Sequence, residues 1–167
     1  MEARAKVLGH AIHQMLIPYP LALLTTAIIF DAIHLFTGTA LWAVIAFWMI
    51  AAGIIGGLAA ALFGAIDWRA IPSGTRAKRI GLIHGVGNVV MVLLFATSWL
   101  LRRGDPGSPG TFAQLLSLAG AGLSLYTGWL GGELVDRLGV GVDDGASLDA
   151  PSSLSGRSAR GRATSAR

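Results

Sequence analysis

Cysteine is absent from the 167-residue chain, which excludes disulfides, thiolate metal sites, Cys-ligated iron–sulfur clusters and a cysteine nucleophile. Charge is scarce as well. Only 13% of residues are Asp, Glu, Lys or Arg, where a water-soluble domain carries about a quarter. No nucleophile elbow, phosphate-cradling glycine loop or H-E-x-x-H helix occurs, so no residue set argues for a known enzyme class. What fills the chain is apolar: 53% of it is hydrophobic. One small globule cannot hide that much apolar surface, so the natural solvent is the lipid bilayer.

Four long apolar stretches run over about 15–36, 40–66, 80–101 and 112–130. Each approaches the roughly 20 residues a helix needs to cross about 30 Å of hydrocarbon. The alternating pattern of a membrane barrel is missing. Short connections, Thr37-Gly38-Thr39 and Arg103 to Gly110, force antiparallel neighbours. The expected fold is an all-α, up-down-up-down four-helix membrane bundle over residues 1–141. Asp31 and His34 lie where a signal peptidase site would have to be, so the first stretch reads as a retained anchor. Residues 142–167 are rich in Ser, Gly, Ala and Arg and are expected to be a disordered basic tail.

Positive charge is distributed unevenly. Arg4, Lys6, Arg69, Arg76, Lys78, Arg79, Arg137, Arg157, Arg160, Arg162 and Arg167 fall on one side, leaving Arg102 and Arg103 on the other. The positive-inside rule makes the richer side cytoplasmic. Both termini are then expected on the cytoplasmic side. The net charge of +4 is thereby explained by topology, and the basic stretch Arg76–Arg79 lacks the aromatic interleaving of a nucleic-acid surface.

Small residues recur at four-residue spacing: Gly53 and Gly57, Ala60 and Gly64, Gly81 and Gly85, Gly128 and Gly132. Without a hydrophobic drive between helices in lipid, close backbone approach through such residues carries much of the packing. They serve contacts within the chain or a homodimer through the second helix. The five tryptophans mostly fall near helix ends, as interfacial anchors do.

Ionisable groups inside spanning helices are costly and commonly functional. Asp31 and His34 share a face of the first helix near its outer end. They read as an interfacial pair or as a proton or cation relay. An inner group comprises His10 and His13 in an H-x-x-H, Asp67 ending the second helix, His84 and Asn88 in the third, and Glu133 with Asp136 after the fourth. Three readings stand. His84 with His10 or His13 can supply two axial imidazoles to a b-type haem, with Asn88 beside them. His10, His13, His84, Asp67 and Glu133 can bind a divalent metal. Or these groups simply bond helix ends and headgroups. The corresponding functions are a redox subunit with an electron-transfer partner, a small proton- or ion-coupled transporter, and a non-catalytic assembly partner.

The segment Gly9-His10-Ala11-Ile12-His13-Gln14-Met15-Leu16-Ile17-Pro18-Tyr19-Pro20 resembles the opening of a bacterial membrane family catalogued as domain of unknown function 2231. Phe30-Asp31, Gly64-Ala65-Ile66-Asp67-Trp68, His84 with Asn88, Gly131-Gly132-Glu133-Leu134-Val135 and Gly139-Val140-Gly141-Val142 extend the resemblance over about residues 9–142. It implies a four-helix membrane fold and leaves the activity open. Members joined to redox modules such as Rieske-type domains would imply electron transfer. Where such sequences often carry Tyr and then His before Gly-Val-Gly-Val, this chain has Asp136 and Leu138, so no ligand is available there.

Overall fold

The computed structural model describes residues 1–157 and residue 159. Arg160, Arg162 and Arg167, part of the expected tail, lie outside the described residues. A short hairpin, β1 (Lys6–Val7) and β2 (His10–Ala11), precedes a single helical turn, α1 (Ile12–Leu16). Four long helices follow: α2 (Pro18–Thr37), α3 (Ala40–Ala70), α4 (Arg76–Arg102) and α5 (Thr111–Gly132). A π-helical turn, Glu133–Arg137, continues α5.

The boundaries have local causes. Leu8 and Gly9 both have positive φ, 50° and 85°, as a tight two-residue hairpin turn of matching twist requires. Pro18 and Pro20 occupy the first turn of α2, where a missing N–H costs nothing, and Gly38 ends that helix in the left-handed conformation. Ile71 is extended because Pro72 follows it, which stops α3. The Thr75 hydroxyl accepts the Lys78 amide at 3.1 Å and caps α4.

Three segments are long and apolar enough to cross a membrane: Ile12–Thr37, Ala40–Ala70 and Arg76–Arg102. At 1.5 Å per residue, the 31 residues of α3 extend about 46 Å. That exceeds the hydrocarbon core, so the end carrying Asp67 and Trp68 reaches past it. Helix α5 is diluted by Gln114, Ser117, Ser124 and Thr127.

Packing joins α2 to α3 and α4 to α5, with the two pairs meeting mainly along α3 and α4. Leu24 and Ala27 of α2, Ala46 and Ile50 of α3, and Met91 and Phe95 of α4 form the central cluster. A second cluster of Ile80, Leu130 and Leu134 pins the π-helical turn to α4. The usual radial order is partly inverted. Phe36, Ile55 and Leu125 are 91%, 70% and 74% exposed, while Asp31, Ser98, Arg102, Ser117 and Thr127 are buried. Water would penalise that arrangement and lipid favours it.

The small residues of α3 are used inside the chain. A β-carbon at Gly53 would lie 2.6 Å from Leu24, and one at Gly57 would touch Val92 and Pro20. That face is therefore occupied by α2 and α4 and does not present itself to a second copy. In the described part of the tail, a 3-10 turn spans Ser153–Ser155, and Ser153 lies against Gly9 of the hairpin turn.

Candidate functional site

Two polar clusters occupy opposite ends of the bundle. At the end where α2 and α4 finish, the Arg102 guanidinium donates to both carboxylate oxygens of Asp31, at 2.6 and 2.7 Å. The same group donates to Ser117 Oγ at 3.0 Å and to Ser98 Oγ at 3.2 Å. Ser98 passes its own hydrogen to the Ala113 carbonyl at 2.6 Å. Arg102 and Asp31 are only 1% and 5% exposed. This is a planar, two-bond pair with two further donors taken by serine hydroxyls, an arrangement that helps offset desolvation of both charges.

Two expectations are corrected here. Asp31 does not pair with His34; the His34 ring bonds the Thr39 carbonyl at 3.1 Å instead. Arg102 is not a loop charge but a buried residue of α4. Arg103, the next residue, is exposed and lies over the Trp99 ring. A signal did exist in the sequence. A carboxylate one turn inside an apolar helix needs a counter-charge, and Arg102 is at the same depth.

At the opposite end, His13 of α1 and His84 of α4 come together, ring centroids 6.5 Å apart and planes at 88°. His13 Nδ1 meets the Ala60 carbonyl at 2.7 Å, and His84 Nδ1 meets the Thr127 carbonyl at 2.9 Å. A carbonyl can only accept, so both Nδ1 atoms carry the hydrogen and both Nε2 atoms are left as the basic nitrogens. Asn88 Nδ2 donates to the His84 carbonyl at 2.8 Å, which fixes the amide orientation, and approaches His84 Nε2 at 3.2 Å. Thr127 Oγ1 donates to Asn88 Oδ1 at 3.2 Å.

Each ring rests on a glycine. A β-carbon at Gly64 would stand 2.8 Å from His13 Cε1, and one at Gly131 would stand 3.3 Å from His84 Cε1. The Ala60–Gly64 spacing of α3 thus makes a seat for His13, with one residue supplying the carbonyl and the other the room.

The other candidates are placed elsewhere. His10 sits on β2 and is exposed, so it shares no helix face with His13. It lines a groove of about 470 Å³ with Gln14 and Asp143. Asp67 Oδ1 accepts the backbone amides of Arg4 and Ala5 at 2.6 and 3.0 Å, tying the N-terminal segment to the end of α3. Glu133 is bridged by Arg76 at 2.7 Å. Among the described residues no three His, Asp or Glu side chains gather as a metal site, so the five expected metal ligands are not brought together. Thr127 was missed by sequence reasoning, because nothing in the sequence marks a threonine of α5 as the partner of both His84 and Asn88.

Asp67 has a structural consequence that can be measured. Asp67→Ala removes both anchors of the segment leading into α1. The amides of residues 4–12 are expected to exchange with deuterium at least tenfold faster, since each lost charge-assisted bond is worth about 1.5 kcal/mol or more. Unchanged exchange there would show that the hairpin holds itself.

No curated protein and no solved structure matches the chain. Residues 9–144 match the family described as "Predicted membrane protein (DUF2231)". That span covers most of the chain and contains α1 to α5, the His13–His84 pair and the Asp31–Arg102 pair. The protein belongs to the DUF2231 family of predicted membrane proteins.

Proposed function

We propose that the chain is a haem-binding electron-transfer subunit of the bacterial cytoplasmic membrane, with all four long helices crossing it and both termini inside. His13 and His84 are the residues that would hold the haem iron, through their Nε2 atoms. The observation that carries this reading is the pairing of two imidazoles across 6.5 Å, each with Nδ1 tied to a main-chain carbonyl. Imidazole nitrogens suit haem iron, and two histidines this close could hold one iron between them. A carbonyl on Nδ1 also fixes the tautomer that presents Nε2 to a metal.

Haem is favoured over a bare divalent ion by the number of ligands. A protein-built zinc site needs three or four side chains, whereas haem brings its own four nitrogens and asks for two. When bound, it would supply the one-electron chemistry, and the protein sets its potential through ligand, hydrogen bonding and burial. Asn88 would give up its contact to Nε2 while keeping those to the His84 carbonyl and Thr127. The transport reading through Asp31 loses ground, because Arg102 and Ser117 already hold that carboxylate.

Titration of the purified protein with hemin, followed by quenching of tryptophan fluorescence, tests the assignment. One equivalent is expected to bind. His84→Ala and His13→Ala each weaken binding about tenfold or more, and His10→Ala leaves it unchanged. Equal loss in His10→Ala, or no loss in His84→Ala, contradicts the pairing.

A further inference from the structure

The π-helical turn after α5 is not part of the histidine site, yet it carries an unmatched set of charges. A groove of about 360 Å³ is lined by Trp129, Gly132, Glu133, Asp136 and Arg137. Glu133 is already neutralised by Arg76. Among the described residues, Asp136 and Arg137 make no side-chain hydrogen bond or ion pair, and both are exposed. The space beside Asp136 is open: even a β-carbon at Gly132 would come no nearer than 4.0 Å to Asp136 Oδ2.

The depth of this groove follows from the Glu133–Arg76 bridge. Arg76 opens α4, one turn before the apolar run beginning at Ile80, so the groove lies at the level of the lipid headgroups. Trp129, 60% exposed and stacked on Tyr126 at 6.2 Å, marks the edge toward the acyl chains, as an interfacial tryptophan does.

From this geometry we infer that the groove binds the headgroup of an ethanolamine phospholipid. Arg137 takes the phosphate, Asp136 takes the primary ammonium, and Trp129 with Tyr126 flanks the glycerol and upper acyl chain. The choice among lipids rests on charge complementarity. A phosphoglycerol headgroup satisfies Arg137 but offers Asp136 no cation. A choline headgroup offers a cation without N–H donors, so the charge-assisted hydrogen bond to Asp136 cannot form. An ethanolamine headgroup satisfies both. This site is independent of the His13–His84 reading and stands or falls without it.

The test is native mass spectrometry of the full chain released from detergent after equilibration with phosphatidylethanolamine, phosphatidylglycerol or phosphatidylcholine of matched acyl chains. One ethanolamine lipid is expected to be retained about fivefold better than either of the others, the effect of one exposed ion pair. Asp136→Asn should bring it down to the level of the choline lipid, and Arg137→Gln should weaken all three. His84→Ala should change none of them. Equal retention of the three lipids by the unaltered protein, or preference for phosphatidylglycerol, overturns the assignment, and that comparison needs no variant to fold.

Discussion

Arg102→Met is expected to destabilise the protein by about 3–5 kcal/mol, more than any other single replacement of a polar side chain. The substitution keeps a long apolar stem but leaves the Asp31 carboxylate buried, 5% exposed, with only the Ser117 hydroxyl in reach at 3.5 Å. The carboxylate is then left buried between α2, α4 and α5 without a counter-charge, and that uncompensated burial is what destabilises the fold. Removing both charges is a different experiment. In Asp31→Leu with Arg102→Met, the desolvation of two ions disappears along with their attraction. The double variant should therefore lie within about 1–2 kcal/mol of the unaltered protein. Unfolding of detergent-solubilised protein by denaturant, followed by far-ultraviolet circular dichroism, resolves the two cases. A single variant as mild as Leu125→Ala, on the lipid-exposed surface, would show that the ion pair holds nothing together.

The second large effect is expected at a residue that makes no polar contact. Gly64→Ala adds one methyl group, yet its β-carbon would stand 2.8 Å from Cε1 and 2.9 Å from Nδ1 of His13. Atoms do not approach so closely, so the ring must move off the Ala60 carbonyl. The result should be a loss of hemin affinity of about 10- to 100-fold, the usual range for disturbing the group that orients a ligand. Gly131→Ala is the graded control. Its β-carbon would sit 3.3 Å from His84 Cε1, a distance the ring can accommodate with a small shift, so a loss of several-fold is expected. If Gly64→Ala binds hemin as tightly as the unaltered protein, His13 is not held where the site needs it.

The membrane character and the four helices were readable in the sequence, because twenty-residue apolar runs separated by short polar loops have few other solutions. Helix ends were less so. Helix α3 runs on to Ala70 and α4 starts at Arg76, since charged residues beyond the hydrocarbon continue a helix as well as apolar ones do. The hairpin before α1 leaves no mark in the sequence beyond Gly9, because two-residue strands carry no period. Within the site, periodicity placed His84 and Asn88 on one face, and their contact follows from it. The partner of each ionisable group was the part left open. Asp31 found Arg102 at a separation of 71 residues, and His84 found the Thr127 backbone at 43. A main-chain carbonyl leaves no trace in a residue pattern. Spacing alone groups His10 with His13, but His10 lies on the extended β2 and His13 on α1, so the change from strand to helix after Ala11 parts them.

The most direct measurement is the reduced-minus-oxidised absorption spectrum of full-length protein purified in detergent from cells supplied with haem. The His13–His84 assignment predicts the sharp reduced α-band of a bis-imidazole b-type haem, at one haem per chain. That band should vanish in His13→Ala and in His84→Ala and persist in His10→Ala. A featureless spectrum from haem-replete cells, with no stoichiometric haem bound, would contradict the account and leave the histidine pair as a packing contact between α1 and α4.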